Sequence, residues 1–123
     1  MKKVTMSDVP ITKAEMTGGL MTGNQVYRQP ILETGESSNF NFSIVKFSAG
    51  SRNKFHKHSG AQLLIVTEGT GTVANDNESL TVTEGDVILI PAGENHWHGA
   101  PDATSMAHIT VTVKGSQTEQ TEA

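Results

Sequence analysis

The 123-residue chain predicts an all-β fold, a sandwich or barrel of short strands in one domain, and three observations carry that expectation. It is rich in Thr and Val, whose β-branching restricts χ1 and suits a pleated surface. Turn residues interrupt it at short intervals: Gly18-Gly19, Gly23-Asn24, Gly35 to Asn39, Ala49-Gly50, Ser59-Gly60, Gly69, Asn75 to Asn77, Glu84 to Asp86, Pro91 to Gly93 and Gly99 to Asp102. Between these turns the apolar residues alternate at period 2 or form short runs, Leu63 to Val66 and Val87 to Ile90 being the longest, far short of the ~18 a membrane span needs.

Residues 1 to 22 are polar and rich in Gly, Thr and Met, and read as an N-terminal arm. Within them Ser7 to Met16 carries the only helical signal, a single turn that Pro10 could open. The barrel is expected over 23–113. Phe40 to Phe47 opens with Phe40, Phe42 and Ile44 on one face, and core is the expected place for Phe40, Phe42 and Phe55. Gln62 to Thr67 and Gly71 to Ala74 flank Gly69, and Asn75 to Glu78 reads as a hairpin loop into Leu80 to Thr83. Val87 to Ile90 is uninterrupted, as a strand buried on both faces would be. Ser105 to Val113 alternates, with Met106, His108, Thr110 and Thr112 on one face and Ala107, Ile109, Val111 and Val113 on the other. The tail, 114–123, has no apolar anchor and is expected to be disordered.

The net charge of -4 and the scattered basic residues argue against a nucleic-acid footprint. There is no Cys, hence no disulfide, thiolate nucleophile or cysteine-bound metal. The two N-terminal lysines are followed by no apolar stretch, so a cytoplasmic protein is expected. What stands out is five His, all between residues 56 and 108: His56 and His58 as HXH, His96 and His98 as HXH, then His108.

On a strand, residues i and i+2 face the same way with Cα atoms roughly 6.5 Å apart. Two imidazoles so placed can converge on one ion at bond lengths of ~2.0–2.2 Å. Gln62 follows across a Ser59-Gly60 turn, and His96 arrives just past Pro91-Ala92-Gly93, which makes a candidate site of three His and one Gln. His98 shares a face with His96, while Trp97 points the other way, toward packing or a subunit contact. Arg52 and Lys54 suit an anionic substrate or a solvated surface, and Asp86 and Glu84 suit a turn.

Written out, Gly50 to Gly69 reads GX5HXHX3QX6G and Gly85 to His96 reads GX5PXGX2H. These resemble the two signature motifs of the cupin superfamily, and the resemblance implies a double-stranded β-helix, or jelly-roll barrel, with one divalent metal at its mouth. Two positions depart from the usual pattern. The family's Glu is Gln62 here, and the Asn that often closes the second motif is Ala100. Neutral Gln62 leaves the charge of the ion uncompensated, which strengthens it as a Lewis acid and costs affinity.

The stretches HKHSGAQLLIVTEGTG, GDVILIPAGENHWHGA and TSMAHITV further resemble small bacterial cupins that include manganese-dependent hydroxynitrile lyases. That resemblance implies metal ligands His56, His58, Gln62 and His96, with His98 and His108 beside them as acid–base groups, and cyanohydrin cleavage or synthesis as the activity. A proton-transfer role suits His, whose unperturbed pKa of ~6.5 lies near working pH. Manganese is the ion the resemblance favours. Nitrogen and oxygen donors also accept Fe, Zn, Ni or Cu. Two other functions fit the same residues: an iron-dependent dioxygenase, and a non-catalytic cupin that binds a metal or small ligand. The expected partners are a small-molecule substrate and a second copy of the chain, packed through the apolar outer face of Ser105 to Val113; no nucleic acid or membrane is expected.

Overall fold

In the computed structural model, which describes residues 1–123, the chain is nearly all strand. One 3-10 turn, Met6–Asp8, is followed by β1 (Thr12–Lys13), β2 (Met21–Thr22), β3 (Val26–Leu32), β4 (Phe40–Phe47), β5 (Arg52–Asn53) and β6 (His56–His58). Then come β7 (Gln62–Asn75), β8 (Ser79–Thr83), β9 (Val87–Ile90), β10 (His96–Gly99), β11 (Met106–Val113) and β12 (Thr118–Gln120). All pairings are antiparallel, in the order β1-β3-β4-β11-β7-β10-β5-β2, with β8 and β9 also on β7 and with β6 lying between β10 and β12. No helix is long and apolar enough to cross a membrane.

The two segments expected on either side of Gly69 are one strand, β7, which begins in one sheet and ends in the other. A bulge opposite Ala107/His108 bends it, and Gly69 at φ 72° lets its backbone pass close to Ser105, whose carbonyl accepts the Thr70 N–H at 3.0 Å.

The inner face of the first sheet is graded along the barrel. Register places Phe47 beside Met106, then Val45 and Val66 beside His108, then Ser43 and Leu64 beside Thr110, and finally Asn41 and Gln62 beside Thr112. The apolar end joins Val26, Val73, Val82, Ile90 and Ala100 in one core cluster. Polar groups therefore collect toward the other end, where apolar contacts no longer fill the space.

Four expectations are corrected. The helical signal at Ser7 to Met16 is only the 3-10 turn at Met6–Asp8, and Thr12–Lys13 is a strand paired with β3. Val87 to Ile90 is not buried on both faces: Val87 and Leu89 are 61% and 66% exposed, because β9 pairs only with β7 and nothing covers its outer side. Phe40 and Phe42 also face outward; the core aromatic of β4 is Phe47, on the alternate face, while Phe55 is half-buried. The tail is ordered as β12, held by backbone pairing with β6 and not by apolar burial, which is why no hydrophobic pattern announces it.

A Cβ on Gly69 would sit 1.9 Å from the Ser105 carbonyl oxygen, whereas one on Gly85, also at positive φ, would meet nothing within 4 Å. Gly85→Ala is therefore expected to cost about 1 kcal/mol, the left-handed backbone penalty alone, and Gly69→Ala about 3 kcal/mol or more because backbone must move as well. Urea unfolding of the two variants followed by Trp97 fluorescence measures the difference.

Candidate metal centre

Three short elements bring the histidines together. β6 presents His56 and His58 on one face at period 2, and His96 opens β10 directly opposite His56 in the antiparallel register. Ligand nitrogens of His56, His58 and His96 lie within 4.8 Å of one another, close enough to share one ion. Gln62 starts β7 on the facing sheet, and its Oε1 lies 3.0 Å from His96 Nε2. His56, Gln62 and His96 are buried and His58 half-buried.

Hydrogen bonds to carbonyls fix which nitrogen is free on two of the rings. His56 Nδ1–H donates to the Lys54 carbonyl at 2.6 Å, and His96 Nδ1–H donates to the Glu94 carbonyl at 2.9 Å. A carbonyl has no proton to give, so both rings carry theirs on Nδ1 and leave Nε2 as a lone pair. His58 Nδ1 pairs with Thr118 Oγ1 at 2.9 Å, and its Nε2 is buried without a partner. Gln62 Nε2 donates to Thr110 Oγ1 at 2.8 Å, so the oxygen of that amide faces His96.

Two lone pairs, on Gln62 Oε1 and His96 Nε2, thus face each other at 3.0 Å. A cation beside both would satisfy them, as would a half-turn of the Gln62 amide, which exchanges its donor and acceptor ends. Together with the orphaned His58 Nε2, that contact makes this donor set fit a divalent ion held by imidazole and carboxamide.

His98 and His108 form a second pair. His98 lies beside the ligand rings, with centroids 5.7 Å from both His56 and His96, and its Nδ1 lies 2.9 Å from His108 Nε2. Phe47 packs against both rings. Asn53, buried on β5, clasps His98: its Oδ1 accepts the His98 backbone N–H at 2.8 Å, which aims its Nδ2 at the ring, 3.1 Å from Nε2 and 3.3 Å from Nδ1. An amide nitrogen only donates, so the nearer His98 Nε2 accepts and the His98 proton sits on Nδ1, facing His108 Nε2. His108 then holds its own proton on Nδ1, which is buried with no partner.

Burial pushes all five imidazoles below the ordinary 6.5. His56 and His108 reach about 4, His98 is well below 6.5, and His58 and His96 are lowered, desolvation being the largest cause in each case. At neutral pH the cluster is uncharged, the state that ligation and proton acceptance both require.

The core of the barrel, strands β4 to β11, coincides with the match to the Cupin domain, which spans residues 43–113. The chain belongs to the cupin family. Among proteins of assigned activity, an (R)-mandelonitrile lyase from Granulicella tundricola is 38% identical over 68 residues, 54% of this chain and 52% of that protein. The chain therefore matches about half the length of that relative. Among solved structures, a cupin-like protein from Thermotoga maritima shares 27% identity at a TM-score of 0.79, covering 89% of this chain and 87% of that one. A polyketide cyclase from Streptomyces resistomycificus superposes at a TM-score of 0.85 with 18% identity, over 100% of this chain and 87% of its own. At that identity the likeness concerns the fold.

The structure brings His56, His58, Gln62 and His96 together, and places His98 and His108 next to them as a hydrogen-bonded pair. It sets the remaining candidates apart. Trp97 faces outward beneath Arg52, whose guanidinium lies 4.8 Å from the ring and pairs with Glu122 at 2.6 Å. Lys54 contributes its backbone, and Asp86 Oδ2 accepts the Thr83 N–H at 2.8 Å as a turn residue does. Sequence reasoning missed Asn53 and Thr118. Asn53 is a variable position of the first motif and Thr118 lies outside both, and each acts on a histidine from a distant part of the chain.

Because the unfolded chain takes up protons on these histidines near 6.5 and the folded chain only at lower pH, near 4 for His56 and His108, stability is complete above about pH 6.5 and falls as pH drops below it. His108 alone is expected to account for roughly 3 kcal/mol of that loss. Urea midpoints of metal-free protein between pH 4 and 8 should show this slope and a plateau above 7. Gln62→Glu, which adds a negative charge to a neutral donor set, is expected to tighten Mn²⁺ binding at least about tenfold, as read by calorimetric titration.

Proposed function

We propose that this cupin is a metal-dependent lyase acting on a small oxygenated molecule, with cyanohydrin cleavage and synthesis as its reaction and manganese as its metal. The observation that carries this reading is the pairing of two histidine groups with different hydrogen-bond assignments. His56 and His96 have their Nδ1 protons tied back to carbonyls, His58 Nδ1 pairs with the Thr118 hydroxyl, Gln62 joins the three rings, and beside them His98 and His108 share a proton-carrying contact. The partial likeness to a mandelonitrile lyase supports the choice of reaction, and the four proposed ligands and both additional histidines fall within stretches that resemble small cupins of that kind.

A divalent ion held by His56, His58, Gln62 and His96 supplies Lewis acidity, and with four neutral donors none of its charge is cancelled by the protein. The chain's own residues handle the proton. His98 and His108 are both neutral at pH 7; a substrate proton would enter at His98 Nε2 in place of the Asn53 amide contact, and the bond from His98 Nδ1 to His108 Nε2 would let His98 hand its Nδ1 proton on to His108. Returning that proton to cyanide on release completes the cycle. Asn53 orients the His98 ring before that proton arrives. The outer face formed by Phe40, Leu63, Leu89, Val111 and Val113 is the surface on which a second copy would pack.

Benzaldehyde release from mandelonitrile, measured on protein stripped of metal and then reloaded, tests this. Turnover is expected with Mn²⁺ and not without it, and His108→Gln should lower kcat by roughly 10²–10⁴-fold with metal content unchanged. No turnover in the manganese-loaded protein would sink the reaction assigned. Iron in the purified protein, together with oxygen uptake on a catechol, diketone or thiol, would move the reading to a dioxygenase.

A further inference from the structure

The three rings of the metal centre are not held in the same way. His56 and His96 each give their Nδ1 proton to the carbonyl two residues earlier in their own strand entry, Lys54 and Glu94, so these contacts form whenever β6 and β10 form. His58 has no such neighbour. Its Nδ1 partner is the Thr118 hydroxyl, sixty residues away on β12. The nitrogen on the other side of that ring, Nε2, is buried and unpartnered.

β12 is attached by polar contacts alone. Thr118, Glu119 and Gln120 are all exposed, and they pair with His58, Lys57 and His56. Ser59 N–H donates to the Gln117 carbonyl at 2.9 Å, Thr121 N–H donates to the Phe55 carbonyl at 2.9 Å, and the Glu122 carboxylate takes the Phe55 N–H at 2.9 Å and the Arg52 guanidinium. Such contacts are worth ~0.5–1.5 kcal/mol each, and a segment held only by them opens locally far more readily than the core. Without β12, β6 would be an edge strand carrying two of the three imidazoles.

We propose that the C-terminal strand is a strap over the metal centre, in which the Thr118 hydroxyl positions His58 for ligation by holding its proton on Nδ1. The inference rests on the metal-centre reading above. Thr118 touches neither substrate nor ion; it acts through His58. Docking of the strap and binding of metal are then linked, because the tautomer with Nε2 free is the one the ion needs, and Thr118 is the partner of Nδ1. Partners of this kind on a ligand histidine are commonly worth 10–100-fold in metal affinity.

The test uses the 123-residue protein and three variants. Thr118→Val keeps the shape and β-propensity of the residue and removes the hydroxyl; Thr118→Ser restores the hydroxyl. Thr121→Val removes a strap contact to Asn95, 2.6 Å in length, that involves no histidine. Mn²⁺ and Zn²⁺ dissociation constants are measured by competition with a chromophoric chelator, and the His58 tautomer in metal-free protein by 15N NMR of the imidazoles. Thr118→Val is expected to bind about tenfold more weakly and to lose the single Nδ1–H signature at His58, Thr118→Ser to recover both, and Thr121→Val to stay within about twofold of wild type. Unchanged affinity in Thr118→Val, or no recovery in Thr118→Ser, overturns the positioning role. Equal weakening in Thr121→Val also overturns it, since the effect would then belong to strap docking in general. Failure of the wild-type protein to bind either ion overturns the metal centre itself, and that result is seen before any variant is made.

Discussion

The inward direction of three imidazole lone pairs is what the rest of the structure serves. A buried neutral histidine has one proton and two ring nitrogens, so binding the proton on one side decides what the other side can do. Two backbone carbonyls do that binding for His56 and His96, the Thr118 hydroxyl pairs with His58 Nδ1, and Gln62, bonded to Thr110, joins them. The geometry of a site for a cation is therefore set by groups that would not touch the cation.

Holding this many polar groups inside a small barrel has a cost in stability, and the layout limits it. Along β4, β7 and β11 the inward residues pass from Phe47, Met106 and Val66 to Asn41, Thr112 and Gln62, so apolar packing and the polar site occupy different levels. His108 lies where the two meet. It packs against Phe47 on the apolar side and bonds to His98 on the polar side, and full burial keeps it neutral. A stability that depends on uncharged histidines follows from placing the pair there.

Much of the site was legible because strand geometry converts sequence spacing into direction. HXH puts His56 and His58, and likewise His96 and His98, on common faces, and the glycines and Pro91 mark the turns that bring the strands round. The errors share a cause. Val87 and Leu89 were expected inside because an apolar run carries no information about whether a second layer covers it, and the tail was expected loose because backbone pairing leaves no hydrophobic pattern. Phe40 and Phe42 alternate correctly, but alternation alone does not say which face is the inner one.

The sequence by itself determined the strand-rich architecture and a candidate site of three His and one Gln, since these depend on local periodicity and on residue chemistry, while the resemblance to small cupins added His98 and His108. Only the tertiary structure decided that His98 bonds to His108, that Asn53 clasps His98, and that Thr118 reaches His58. A hydrogen bond between residues tens of positions apart depends on register and closure of the whole barrel, and no spacing along the chain encodes it.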